Sequence, residues 1–352
     1  MKFRAELEPL SPYKPPRAAA EASAERGTVD YVKLTMNELA FGPLPEAEAA
    51  LVEALPRANR YPDRYVGALR EAIVGANPGS AAENIIVGNG SSEVLLNVLQ
   101  LLERPGEVLS PWPTFGLYRS ISTILGMQFK TVSLTDEHEI KPEAVLSAVT
   151  NETRAVILNN PNNPTGTYLT LDKIREFAGE LPEAVLLILD EAYQEFVSDP
   201  AYHGSHTLAL EKPNVVVART FSKAHGLAGF RVGYGISSGR IADYAERVRF
   251  PFSVNLAAQV AAAASMRARD KISGRAEFVI QERERVQQAF GAAGLNYIPS
   301  QANYIMVETG PDTFEKAGVL VREGEALGFP PGWSRVTLGN TEENDRVIGA
   351  LS

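Results

Sequence analysis

The chain has no cysteine, which excludes disulfides, thiol catalysis and cysteine-ligated metal. Histidine is scarce: His138, His203, His206 and His225 are the four present. Their spacing gives no zinc-ligand pattern, so no metal is expected. No apolar run approaches the roughly 20 residues of a transmembrane helix. The first residues, Met1 to Glu8, lack the apolar stretch and cleavage pattern of a signal peptide. The expectation is a cytoplasmic protein with no membrane partner. Basic charge is not in excess, with 34 Lys and Arg against 43 Asp and Glu and a net charge of −9. That argues against general nucleic-acid binding and leaves room for a local basic pocket. A Gly-Lys-Ser/Thr phosphate loop is missing, as are internal repeats, low-complexity tracts and coiled-coil heptads.

What remains is globular: 352 residues, 45% hydrophobic and 22% charged, enough for one large or two medium domains. Pro9, Pro12, Pro15 and Pro16 keep the start extended, so residues 1–40 read as an N-terminal arm, with a helix at 18–26 stopped by Gly27. Residues 41–254 read as a large α/β domain. Seven apolar strands are expected, at 85–87, 107–110, 128–132, 155–158, 185–189, 215–218 and 232–236. Helices alternate with them at 91–103, 114–125, 142–149 and 170–181. Continuous apolar runs in that alternation predict a mostly parallel sheet covered on both faces. Residues 255–352 read as a smaller α+β domain. It opens with long Ala-rich helix to about Phe290, followed by strands near 304–307 and 335–338 and helices near 314–320 and 342–351.

The stretch from Thr220 to Gly235 carries the strongest chemical signal. Lys223 sits among small and apolar residues, beside Ser222 and eight positions before Arg231. Desolvation and nearby cations lower a lysine pKa, and the neutral amine can form a Schiff base with a carbonyl. Ser222 and Arg231 could hold the phosphate of a carbonyl cofactor. A strand end with a snorkelling lysine explains the same residues.

Other motifs fall at strand ends. Leu158 to Gly166 (Leu-Asn-Asn-Pro-Asn-Asn-Pro-Thr-Gly) is a rigid loop where an open sheet binds ligands. Asp190-Glu191-Ala192-Tyr193 offers a carboxylate for a protonated ring nitrogen, and a phenol three residues on; a surface acid pair is the plainer alternative. Val87-Gly88-Asn89-Gly90-Ser91-Ser92-Glu93 leads a strand into a helix start that favours an anion. Glu93 occupies the third glycine position of the dinucleotide fingerprint, which disfavours a dehydrogenase; a plain N-cap by Ser91 also fits. Arg335, in a strand, invites a bidentate carboxylate, and Arg322 is a weaker case of the same kind.

Together these motifs resemble the fold-type-I aminotransferases that use pyridoxal phosphate (PLP), in the histidinol-phosphate aminotransferase branch that includes actinobacterial aromatic amino acid aminotransferases. The resemblance spans nearly the whole chain. It adds Ser11 to Pro16, Lys33 to Glu38, Phe41 to Pro45, Arg60 to Asp63, Pro113-Thr114-Phe115 and Ser300 to Tyr304 to the motifs above. It implies a seven-stranded, mostly parallel sheet between helices with a smaller α+β domain. It implies Lys223 as the Schiff-base lysine and proton shuttle, and Asp190 as partner of the pyridine nitrogen. Asn163 and Tyr193 would face the ring oxygen, and Phe115, rather than Trp112, would stack on the ring. Ser91, Ser92, Ser222 and Arg231 would bind the phosphate, with Tyr61 from the other subunit of a homodimer. Arg335 would clamp the substrate carboxylate, with Asn37 and Arg322 near the substrate.

Phe41-Gly42-Pro43-Leu44-Pro45 looks more like the aromatic aminotransferases of the branch, and Ser92 stands where Asp is usual. The implied reaction moves an amino group between an aromatic or imidazole-bearing amino acid and a 2-oxo acid such as 2-oxoglutarate. A lyase, decarboxylase, cyclase or oxidase on the same fold and cofactor is the alternative. A PLP-bound regulator without turnover is disfavoured by the complete residue set.

Overall fold

A computed structural model describes residues 1–16, 18, 31–310 and 312–351. The helix expected at 18–26 falls outside the described residues. All seven expected strands form and join one sheet: β2 (Ile85–Gly88), β3 (Glu107–Trp112), β4 (Gln128–Ser133), β5 (Thr153–Asn159), β6 (Leu186–Asp190), β7 (Val215–Thr220) and β8 (Gly233–Ser237). A short β1 (Val32–Lys33) precedes them. The order is β2-β8-β7-β6-β5-β3-β4, and only β8 runs against its neighbours.

Burial explains why the central strands read as unbroken apolar runs, whereas the edge strand β4 is mixed and stays largely exposed. Val156, Leu158, Leu187, Leu189, Val215 and Val217 point into one core. Their neighbours Ala155, Ile157, Leu186, Ile188, Val216 and Ala218 point into a second core on the opposite face. Side chains alternate across a strand, so a sheet covered on both faces needs apolar residues at every position. The first core continues through Ala258, Ala261, Ala262, Ala263 and Met266 of the helix Leu256–Arg267. That helix packs on the helices Pro45–Ala54 and Gly67–Ala76. The boundary expected after residue 254 therefore cuts through a continuous core. Small alanine side chains on that helix let three helices approach closely.

The smaller region is an antiparallel sheet of β9 (Tyr297–Ile298), β10 (Tyr304–Glu308), β12 (Arg322–Glu323) and β13 (Trp333–Thr337), ordered β12-β13-β10-β9. The helix expected near 314–320 is shorter, Thr313–Lys316. Gly318, at φ 74°, turns the chain, and Val319–Leu320 forms β11 instead. β11 pairs in parallel with β1, and Thr337 N–H donates to Leu34 O at 3.0 Å. The segment 32–37 is thus sewn into the smaller sheet.

Both acids at the end of β6 are buried, Asp190 at 2% and Glu191 at 0% exposure, so neither is a surface acid. Glu191 Oε2 accepts from Arg219 Nε at 2.9 Å and from Ser205 Oγ at 2.8 Å, and its Oε1 from Tyr202 at 2.8 Å. Arg219 also donates to Asn77 and Ser205. Every polar atom of this buried pair is thus matched by a neighbour, which keeps burial tolerable. Glu191→Ala would leave the Arg219 charge buried and uncompensated. It is expected to cost about 3–5 kcal/mol of stability, read as a lowered urea midpoint with an unchanged slope.

Candidate active site

Strand direction places the candidate residues before any side chain is considered. β3, β5, β6 and β7 run parallel, and β2, two reversals away from β7, runs with them. Their carboxyl ends share one edge of the sheet. There lie the turn after β2 (Ser91, Ser92), the loop after β3 (Phe115), the loop after β5 (Asn163), the end of β6 (Asp190, Tyr193) and the loop after β7 (Ser222, Lys223). Arg231 enters the same edge just before β8. In open α/β sheets this edge is where ligands bind.

Lys223 Nζ donates to the carbonyls of Met36 at 3.1 Å and Asn37 at 2.9 Å, and lies 5.4 Å from the Tyr193 ring centre. Asn37 adopts φ 52°, a left-handed conformation that Asn tolerates better than most residues. Burial, reinforced by the Arg335 and Arg231 charges, lowers the Lys223 ammonium from 10.5 to about 7, against the opposing pull of Glu38 and Asp190. Near neutral pH a large fraction of this amine is therefore a free nucleophile and base.

Asp190 is the acidic counterpart. Its Oδ2 accepts from the Tyr118 hydroxyl at 2.8 Å and its Oδ1 from Ala192 N–H at 3.2 Å. Burial raises its carboxyl to about 6, while those two donors hold it down. The Tyr193 hydroxyl accepts from Asn37 Nδ2 at 3.0 Å and Asn163 Nδ2 at 3.3 Å. Asn163 Oδ1 in turn accepts from Arg335 Nη1 at 2.6 Å, and Thr35 O from Arg335 Nη2 at 2.9 Å. The Arg335 guanidinium lies 5.3 Å from the Tyr304 ring centre, and its buried Nε has no partner. Arg322 stands directly opposite Arg335 in the β12–β13 register, so the two side chains share a face. Like charges placed opposite one another are unfavourable until an anion joins them.

The phosphate-side group is built from backbone constraint. Gly90, not Ser91, caps the helix Ser91–Gln100 at φ 78°, leaving both serines in its first turn. A Cβ at Gly90 would stand 2.6 Å from Arg231 Nη2, and one at Gly233 would collide with the backbone of Ser91. Arg231 also reaches Ser222 Oγ at 3.4 Å, from a left-handed φ of 58°. An arginine, serine hydroxyls and a helix start thus converge on one spot, a setting suited to a phosphate or similar anion.

One expected residue, Tyr61, lies apart within this chain. Tyr61 is 84% exposed and stacks on Phe252 at 4.8 Å, away from the cluster above. Trp112 sits beneath the Arg119 guanidinium, 4.7 Å away, while Phe115 remains 39% exposed at the mouth and packs edge-on against Tyr118 at 5.6 Å. Sequence reasoning missed Tyr118, the Met36 carbonyl and Thr35. Tyr118 follows Phe115 by three residues within the helix expected at 114–125, although that helix begins only at Leu117 and leaves Phe115 in the loop. A backbone carbonyl leaves no signal in residue types.

A lysine amine with a near-neutral pKa, a buried carboxylate, a phosphate-type cradle and an arginine pair define an enzyme of carbonyl–amine chemistry on anionic substrates. Residues 29–351 match the family model described as aminotransferase class I and II, and the chain belongs to that family. It is 75% identical over 351 residues to the histidinol-phosphate aminotransferase of Rubrobacter xylanophilus, covering all of both chains. It is 40% identical over 326 residues to the aromatic amino acid aminotransferase of Cutibacterium acnes, covering 91% of this chain and 92% of that one. Among solved structures it resembles the histidinol-phosphate aminotransferase of Sinorhizobium meliloti in complex with pyridoxal-5'-phosphate, at 28% identity and TM-score 0.86, covering 99% of this chain and 96% of that one.

The titration of Lys223 can be checked without any ligand. Labelling of Lys223 by an amine-selective acylating reagent, followed by peptide mass spectrometry, is expected to reach half its maximal rate near pH 7. An ordinary lysine does so near 10.4.

Proposed function

We propose that this PLP-dependent transaminase transfers an amino group between histidinol phosphate, or an aromatic amino acid of similar shape, and a 2-oxo acid such as 2-oxoglutarate. The observation that carries the reading is the arginine pair. Arg335 and Arg322 stand opposite each other on one face of the smaller sheet, and the Arg335 Nε is buried without a partner. Histidinol phosphate presents a phosphate ester where an amino acid presents its α-carboxylate. Two adjacent guanidinium groups suit the doubly charged anion as well as the carboxylate of the second substrate. The 75% identity to a protein named for histidinol phosphate, against 40% to one named for aromatic amino acids, favours the phosphate ester.

The residues fit PLP. Gly90 leaves open the space that a side chain would close against Arg231, so the cofactor phosphate can meet Arg231, Ser222, Ser91 and Ser92 at the helix start. Asp190 suits the ring nitrogen, Asn163 and Tyr193 the ring oxygen, and Phe115 the ring face. PLP supplies an aldehyde that condenses with amines and a ring that draws electrons from the substrate Cα–H bond. Lys223 Nζ, its pKa near 7, is the base that would take a proton from substrate Cα and give it back. Arg335 would hold the anionic group of the substrate, and Asn37 holds the Tyr193 hydroxyl in place. A negative Asp190 would favour positive charge on the ring nitrogen.

The exposed Tyr61, beside exposed Tyr65, Phe250 and Phe252, supports a homodimer in which Tyr61 reaches the phosphate of the neighbouring subunit's site. No helix among the described residues is long and apolar enough to cross a membrane, and we place the enzyme in the cytoplasm.

A panel of half-reactions tests the substrate. The purified PLP form is given histidinol phosphate, phenylalanine, tyrosine and glutamate one at a time. Pyridoxamine phosphate absorbance is expected in all productive cases, fastest with histidinol phosphate. No pyridoxamine phosphate from any donor would refute transamination. Arg335→Ala is expected to raise KM about ten- to a hundredfold, the equivalent of the ~1.5–3 kcal/mol of a charged hydrogen bond. In Lys223→Ala, borohydride should no longer fix the cofactor to the peptide that carries residue 223, while circular dichroism stays that of a folded chain.

A further inference from the structure

Asp190 must do something that its surroundings oppose. It is 2% exposed, and burial pushes its carboxyl up to about 6. Glu191 follows it on the same strand end and raises it further, although that side chain turns away to Arg219. Lys223, from the loop after β7, lowers it. Tyr193 follows on the loop after β6, and Tyr304 approaches from β10 with Arg335 beside it. Within this set, two donors reach the carboxylate: Ala192 N–H at 3.2 Å and the Tyr118 hydroxyl at 2.8 Å.

Tyr118 is built to donate and nothing else. It is fully buried near the start of the helix Leu117–Ile124, and its ring stands edge-on to Phe115 at 87°. Its backbone N–H is held by Phe115 O at 3.1 Å, and its backbone O accepts from Ser122 Oγ at 2.8 Å. Burial and then the Asp190 charge push its hydroxyl well above the usual phenol range, so its proton stays on. Each Asp190 oxygen takes one donor and keeps room for another.

We propose that Tyr118 is a positioning residue for the cofactor: its hydroxyl holds the Asp190 carboxylate ionised and oriented toward the ring nitrogen of PLP. This rests on the reading of Asp190 as the ring partner. Phe115 and Tyr118, three residues apart, then serve the ring together, one at its face and the other through the carboxylate at its nitrogen.

The test uses full-length protein with and without PLP. In the chain without cofactor, carbon NMR of carboxyl-labelled aspartate follows the Asp190 titration, assigned by its absence in Asp190→Asn. Tyr118→Phe is expected to move that titration up by about one pH unit or more. PLP affinity at neutral pH should fall about tenfold, and its loss on acidification should begin at correspondingly higher pH. An unmoved Asp190 titration, with Asp190→Asn impaired in PLP binding, overturns the role of Tyr118 alone. Wild-type PLP affinity in Asp190→Asn overturns the reading of Asp190, and the proposal with it. Should Tyr118→Phe yield no folded chain, the wild type decides. The ζ-carbon of labelled Tyr118 must shift together with the Asp190 titration, and a resonance silent through that titration overturns the proposal.

Discussion

Desolvation at the carboxyl edge of the large sheet is the constraint on which this molecule depends. An ammonium, a carboxylate and a guanidinium are brought out of water within one network, and each is moved by the removal of solvent before any neighbour acts on it. Lys223 and Asp190 drift toward neutrality from opposite sides. A residue pair that would be fully charged in water becomes two groups that change protonation close to working pH. The surrounding hydrogen bonds decide how far each one goes. Two carbonyls favour charge on the lysine, and a phenol and an amide favour charge on the aspartate.

The two acids at the end of β6 illustrate how strand geometry separates chemistry from structure. Adjacent residues face opposite sides of a sheet. Asp190 faces Tyr118 and the site, whereas Glu191 faces Arg219, Tyr202 and Ser205 on the other side. The second acid anchors β7 to β6 through a buried ion pair, so the loop that carries Lys223 starts from a fixed point. One dipeptide thus supplies both the reactive group and the clamp beneath it.

Much of this was legible in the sequence, for physical reasons. The central strands of the large sheet are buried on both faces, which writes them as apolar runs, while the edge strand β4 is mostly exposed and mixed. Asp190 closes such a run, Lys223 follows one in the next loop, and Arg335 lies in a strand of the smaller sheet, and the contrast with apolar neighbours makes them visible. What stayed hidden depends on contacts distant in sequence. β11 is two residues long and exists because β1 lies beside it, nearly three hundred positions earlier in the chain. The expected helix there fails at Gly318. The core that absorbs the helix Leu256–Arg267 ignores the composition change that suggested a boundary, since alanine packs equally well in either region. Met36 and Asn37 act through carbonyl oxygens that every residue type owns.

The segment Thr35–Asn37 has a mechanical consequence. Thr35 O is gripped by Arg335 of the smaller sheet, and Thr337 of that sheet holds Asn37 at both its N–H and its side chain. The carbonyls of Met36 and Asn37 are gripped by Lys223 of the larger one. Three consecutive residues therefore form a tie rod between the two halves of the molecule. A swing of the smaller sheet pulls on the same carbonyls that restrain the lysine amine. Arg335 and Lys223 thus hold the same short segment from opposite ends while also sensing each other's charge.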